Sequence, residues 1–182
     1  MAAVGASGDY ERAQEIGTYI GSYLSDLGFN VDFAPCADVL TNPANTVVAR
    51  RSFGSDAALV AEMTDLQRKA MEQEGIIGAL KHFPGHGDTD VDSHKALPVL
   101  PFTRERLDSV ELYPFKEAIR AGVSGMMVGH LQVPVIEPIG DLPSSLSRNV
   151  VYGLLTEELA FKGLIFTLSL IHISEPTRRS YI

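Results

Sequence analysis

The chain has 182 residues, 45% of them hydrophobic and 21% charged, the proportions of an ordinary globular domain with a sizeable core. Its 15 basic and 23 acidic residues leave a net charge of −8, which argues against a nucleic-acid partner, because phosphate binding needs a basic face. No apolar run approaches the roughly 20 residues of a membrane span, and the opening MAAVGASGDYER lacks the basic-then-apolar order of a secretory leader.

Two hydrophobic periods alternate along the chain. Asp9 to Leu27 reads as a helix, with Ala13, Ile16, Ile20, Tyr23, Leu24 and Leu27 on one stripe and Gly28 as its stop. Phe29 to Leu40 reads as a strand running into a loop, and the single cysteine, Cys36, as a small buried residue within it. Ser55 to Glu74 is helical, with Leu59, Met63, Leu66, Ala70 and Met71 inward, and Gly75 ends it. Ile76 to Phe83 is a strand. Thr103 caps a helix running to about Ala121, without the acidic residue of a capping box at Arg106. Val123 to His130 is a short buried strand, Ser147 caps a helix ending near Phe161, and Gly163 to Thr167 is a last strand. Strands alternating with helices imply right-handed crossovers and a parallel sheet. A doubly wound sheet and a (β/α)₈ barrel both fit this order. Asp38, His82, His130 and the position after Thr167 all fall at strand carboxyl ends, where a barrel builds its active face. A full barrel needs about 250 residues, so about four of eight strands are expected here.

The densest chemistry is KHFPGHGDTDVDSH, residues 81 to 94, which holds three of the five histidines. His82, His86, His94 and His130 with Asp92 are ligand types suited to zinc, but Pro84 and Gly85 prevent His82 and His86 from standing one helical turn apart. Acid–base work fits better. Asp92 and His94, two residues apart, can meet on an extended or turn backbone. The carboxylate would then fix the imidazole tautomer and raise its pKa toward general acid–base use. Lys81 and His82 leave a strand end, where they suit hydrogen bonds to a polar substrate. Asp88, Thr89 and Asp90 read as turn formers.

This stretch resembles the signature of family 3 glycoside hydrolases, in the bacterial β-N-acetylglucosaminidase branch. KHFPGHG stands at residues 81–87, Asp92-Ser93-His94 follows after four residues, and Leu97-Pro98 comes soon after. FAPCADV at 33–39, RSFG at 51–54, MMVGHLQVP at 126–134, PSSLS at 143–147 and GLIFT at 163–167 also resemble the family. The resemblance implies an α/β fold, a partial (β/α)₈ TIM barrel. It implies retaining hydrolysis of terminal β-linked N-acetylglucosamine from glycans or cell-wall fragments, with a carbohydrate partner and with no metal or cofactor. It casts His94 as acid/base with Asp92 orienting it, and Lys81, His82 and Arg51 as sugar-binding groups. Asp38 is carried over as a further polar substrate-site position. The compartment stays open between bacterial cytoplasm and periplasm. The resemblance covers residues 1–167.

Two departures qualify it. The family nucleophile is an aspartate directly after the G-L-I-F-T strand, whereas Leu168-Ser169-Leu170 stands here. Residues 168–182 therefore read as a non-family, artefactual tail of frame-shifted or adaptor-derived sequence, to be set aside from the fold, and the chain as inactive on its own. The family's first strands, with their E-G-G sequence, are also absent. Two other readings remain: a non-catalytic amino-sugar-binding relative and a metal-dependent barrel hydrolase.

Overall fold

The computed structural model describes residues 1–89 and 97–168. The elements, in chain order, are α1 (Ala2–Ser7), α2 (Tyr10–Asp26), β1 (Val31–Asp32), α3 (Ala57–Gln73), β2 (Ile77–Phe83), α4 (Arg104–Ser109), α5 (Tyr113–Arg120), β3 (Gly125–Val128), a helix at Asn149–Glu158 labelled α6, and β4 (Leu164–Thr167). The four strands form one parallel sheet in the order β1-β2-β3-β4. This is half of a TIM barrel, with the helices packed outside the strands as the alternating periods require.

The core is built on β2 and β3, whose Leu80, Phe83, Met126 and Val128 are buried with Leu107, Leu112, Phe115, Leu154 and Leu155 from the covering helices. Phe83 and Phe115 meet edge to face at 5.5 Å. Four fully apolar positions in a row on β3 match a strand covered on both faces.

Several local expectations needed correction. The inward face of α2 is Ala13, Gly17 and Gly21, while Tyr23 and Leu27 are exposed. The glycines let the α2 backbone lie directly on α3: a Cβ on Gly17 would stand 2.3 Å from the Gln67 carbonyl oxygen. The apolar stripe therefore flanks this close approach instead of forming it. The helix expected from Thr103 to Ala121 is two helices. Thr103 does cap α4, accepting from Arg106 N–H at 3.4 Å. Pro114, which lacks an N–H, sits in the first turn of α5 and marks a fresh start there. α6 begins with Ser147 Oγ accepting from Val150 N–H at 3.1 Å and ends with a bond from Leu159 N–H to Leu154 O, the five-residue step of a π-helix. α1 was not expected at all.

The strand at residues 29–40 is only two residues of ladder. Beyond Asp32 the chain leaves β2 at Phe33 and returns, so that Cys36 bridges Lys81, Ala37 N–H donates to Lys81 O at 2.7 Å, and Lys81 N–H donates to Pro35 O at 3.2 Å. The Ala34–Pro35, Lys81–His82 and Phe83–Pro84 peptides are cis. The return at Cys36 brings Asp38 beside His82.

Among the described residues, β1 and β4 each have one strand neighbour. Phe29, Phe33, Leu164 and Ile165 are exposed along or beside them. No helix among the described residues is long and apolar enough to cross a membrane. Unpaired edges bearing large apolar side chains favour association. The isolated chain is expected to sediment as self-associated species at micromolar concentration. A monodisperse monomer with a sharp, reversible two-state melt would contradict this.

Candidate active site at the carboxyl ends of the strands

β2 delivers Lys81 and His82 at its carboxyl end, and the chain continues through Pro84, Gly85 and His86 as a turn with Gly85 N–H donating to His82 O at 2.7 Å. Asp38 lies beneath this turn, with no solvent exposure. One carboxylate oxygen, Oδ1, accepts from the backbone N–H of His82 at 3.1 Å and of His86 at 2.7 Å. The other, Oδ2, accepts from His82 Nδ1 at 2.7 Å and from Cys36 Sγ at 3.0 Å. Burial alone would raise the pKa of Asp38. The charge and hydrogen bond of His82 lead the opposing effects, helped by His86 and Cys36, and hold it well below the usual carboxylate range. Asp38 therefore stands as an ionised acceptor with four donors.

Asp38 is held in turn by the RSFG stretch, where Ser52 Oγ donates to the Asp38 carbonyl at 2.7 Å. Arg51 beside it is half-buried and directs its Nε and Nη2 to the Val47 carbonyl at 3.1 and 2.8 Å. It makes no ion pair among the described residues. Lys81 is half-buried. Burial, then the nearby charge of Arg51, lower its pKa, and Cys36, Asp32 and Asp38 partly oppose this. Arg51 thus lies close enough for its charge to act on Lys81. Lys81, His82 and Arg51, expected as sugar-binding groups, all lie at this end of β2. Asp38, expected among substrate-facing groups, is instead enclosed by protein donors.

The rest of the turn is fixed by groups that the sequence reading passed over. Asn45 Nδ2 donates to the His86 carbonyl at 2.7 Å, while its Oδ1 accepts from Val47 and Val48 N–H at 2.9 and 3.1 Å. Thr41 Oγ1 donates to Asp88 Oδ2, and Asn42 Nδ2 donates to the Asp88 carbonyl at 3.2 Å. Arg106 reaches Asp88 at 3.3 Å and Glu111 at 2.9 Å, with its guanidinium 4.6 Å from the Phe102 ring centroid. Gly87 lies flat on residue 39: a Cβ there would stand 1.9 Å from the Val39 carbonyl oxygen. The polar TNPAN stretch at 41–45 was the available signal, since Asn and Thr are suited to bonding backbone groups. Asp90, Asp92 and His94 lie outside the described residues.

His86 is buried. Its Nδ1 meets Thr89 Oγ1, and its Nε2 has no partner among the described residues. Burial lowers its pKa, against the raising effect of Asp38. His130, also buried, shares a hydrogen bond with Ser145 Oγ at 2.8 Å, and burial lowers its pKa too. His82, His86 and His130 form no metal centre among the described residues, and His94 lies outside them. The group of metal-ligand types that does form is Cys36, Asp38 and His82, with ligand atoms within 4.8 Å of one another. Its central carboxylate already accepts four hydrogen bonds. Burial and the Asp38 charge also push the Cys36 thiol well above its ordinary pKa, away from the thiolate a metal needs. The group is better explained as a hydrogen-bond hub.

A parallel half-barrel with cationic and imidazole groups gathered at its strand carboxyl ends is a segment of a barrel enzyme, the class in which that face bears the chemistry. The profile of the glycosyl hydrolase family 3 N terminal domain matches residues 1–178, past Thr167, where the sequence reading had ended the family segment. The chain belongs to glycoside hydrolase family 3. It is 40% identical over 165 residues to "Beta-hexosaminidase A" of Pseudoalteromonas piscicida, covering 85% of this chain and 28% of that protein. A solved family 3 beta-N-acetylglucosaminidase from Paenibacillus sp. str. FPU-7 superposes with a TM-score of 0.92 at 46% identity, covering 96% of this chain and 33% of the other. A zinc-bound CbsA from Thermotoga neapolitana gives 0.86 at 35% identity, covering 95% and 37%. The chain thus spans about a third of the length of these relatives.

Folding holds His86 and His130 below the ordinary histidine pKa of about 6.5, so unfolding takes up protons below that pH. Their contribution to stability is complete above about pH 6.5 and is lost as pH falls through the lowered folded values. Urea denaturation across pH is expected to show a plateau above neutrality and a decline below it. His86→Gln should flatten the decline, and an unchanged slope in this variant would remove His86 from the account.

Proposed function

We propose that the chain provides the sugar-gripping and proton-transfer portion of a retaining β-N-acetylglucosaminidase acting on glycans or cell-wall fragments. The observation that carries this reading is the placement of Lys81, His82 and Arg51 with the buried Asp38 at the end of β2. In this reading Lys81 and Arg51 donate hydrogen bonds to hydroxyls of the terminal sugar, and His82 lies against it. His94, oriented by Asp92, protonates the leaving oxygen and then takes a proton from the incoming water. One residue serving as acid and then base is what a retaining route requires. The family resemblance and the names of the relatives supply the substrate class.

The nucleophile position is Leu168. Its N–H donates to Val128 O at 2.9 Å, so it continues the β3–β4 pairing to the carboxyl end of β4, at the face where Lys81 and His82 emerge. A leucine cannot form the glycosyl-enzyme bond. The chain as it stands therefore binds N-acetylglucosamine without hydrolysing its β-glycosides, which also accommodates the non-catalytic sugar-binding reading. Leu168→Asp separates the two. Gain of p-nitrophenyl β-N-acetylglucosaminide hydrolysis, reduced about 10²–10⁴-fold again by adding His94→Ala, is the expected result for an enzyme segment. Sugar binding with no gain of turnover favours the non-catalytic relative.

The zinc-bound CbsA gives the metal-dependent reading its one support. Dialysis against a chelator is expected to leave N-acetylglucosamine binding unchanged. Loss of binding that zinc restores would move the metal reading to first place. By isothermal titration, Lys81→Ala and His82→Ala should each weaken binding about tenfold or more, since each loses a hydrogen bond to or from a polar ligand. Wild-type affinity in both variants would remove this end of β2 from the sugar site.

A further inference from the structure

We infer that Asp38 is a positioning residue, which locks neutral His82 in the tautomer that bears its proton on Nδ1 and so leaves Nε2 as a hydrogen-bond acceptor at the carboxyl end of β2. Four donors meet on the Asp38 carboxylate. An ionised carboxylate accepts and cannot donate. The 2.7 Å bond between His82 Nδ1 and Asp38 Oδ2 therefore requires the proton to sit on Nδ1. A neutral imidazole carries one N–H, so Nε2 is bare.

The backbone around the ring leaves little freedom. Asp38 Oδ1 also holds the N–H groups of His82 and His86, so one carboxylate fixes the ring, the peptide that bears it and the turn that follows. The carboxylate is held from behind by Ser52 on its own carbonyl. His82 and His86 rings meet edge to face at 5.6 Å, which adds a packing constraint on ring rotation.

The polarity of the site follows. Lys81 offers only donors. In the neutral ring, this tautomer of His82 offers only an acceptor at Nε2. A hydroxyl, which both donates and accepts, can meet either of them. A carboxylate or phosphate, which only accepts, would leave Nε2 unmatched. The pair thus selects a polyol face over an anion, although two cations, Lys81 and Arg51, stand there. This rests on the sugar-binding reading of the strand end, and it names the part of the sugar that His82 recognises: a hydroxyl hydrogen.

Asp38→Asn is the diagnostic variant. The side of residue 38 that faces the two backbone N–H groups needs an acceptor, so the amide oxygen must take that side. The amide nitrogen is then forced toward His82 Nδ1, where it donates, and the ring proton must move to Nε2. In the chain labelled with ¹⁵N-histidine, long-range proton–nitrogen correlation near neutral pH reports the tautomer directly, and His82→Gln assigns the resonance. The expected wild-type result is Nδ1–H for His82. Asp38→Asn is expected to show Nε2–H, with affinity for N-acetylglucosamine lowered about tenfold while the melt stays cooperative. Wild-type His82 in the Nε2–H form would overturn the inference, and so would a folded Asp38→Asn that keeps Nδ1–H. If Asp38→Asn does not fold, the wild-type spectrum still decides. If His82 is Nδ1–H but its Nε2 resonance ignores N-acetylglucosamine, the sugar-binding reading falls and the positioning role of Asp38 stands.

Discussion

One buried carboxylate organises this end of the molecule. Asp38 accepts from the ring and the backbone of His82, from the backbone of His86 and from Cys36, all without access to water. Removing one donor from a buried carboxylate typically costs about 1.5–3 kcal/mol, because a bond to a charged acceptor is lost away from water. That is a large share of the 5–15 kcal/mol by which a domain is stable. The hub therefore couples stability to site geometry: what keeps Asp38 satisfied also keeps His82 in place.

Around the hub, the segment after β1 and the turn after β2 are bonded along their length. Thr41, Asn42 and Asn45 meet His86 and Asp88, and Arg106 approaches Asp88 from the start of the next helical region. Gly87 lets the two backbones touch. Asn42 and Asn45 bond to backbone carbonyls and so fix the path of the chain, while Thr41 and Arg106 hold the Asp88 side chain. A turn held this way can place Lys81 and His82 on rigid backbone, which a surface loop of the same composition could not do.

Much of the fold was legible in the sequence. The alternation of periods, the glycine stops and the polar residues at strand ends led to a parallel half-barrel, because each of those signals is local. What sequence could not show was close approach. α2 turns its small residues inward because glycines permit backbone contact with α3, and a hydrophobic stripe has no means of announcing that. Pro114 could have divided the 103–121 helix, since a proline in a first turn is a familiar start signal, but the apolar period ran through it unbroken. At the site, the residue types in 81–88 were visible, and Lys81, His82 and Arg51 do lie at one end of β2. The role of Asp38 was hidden because a carboxylate at a strand end looks the same in sequence whether it faces a ligand or lies beneath one. Asn45 and Thr41 were unremarkable as loop residues until their partners, more than 40 positions away, came into view.

The hub has a consequence for how this half-barrel can change over time. Every partner of Asp38 lies in one β-α-β unit, between Cys36 and His86. The position after β4 lies outside that unit and contributes nothing to it. Leu168 and the Asp38 hub share no bond among the described residues, so a change at 168 leaves His82 in place. The architecture is modular in a specific sense: the Asp38 hub and the end of β4 are free to diverge separately. A lineage could discard one and keep the other intact.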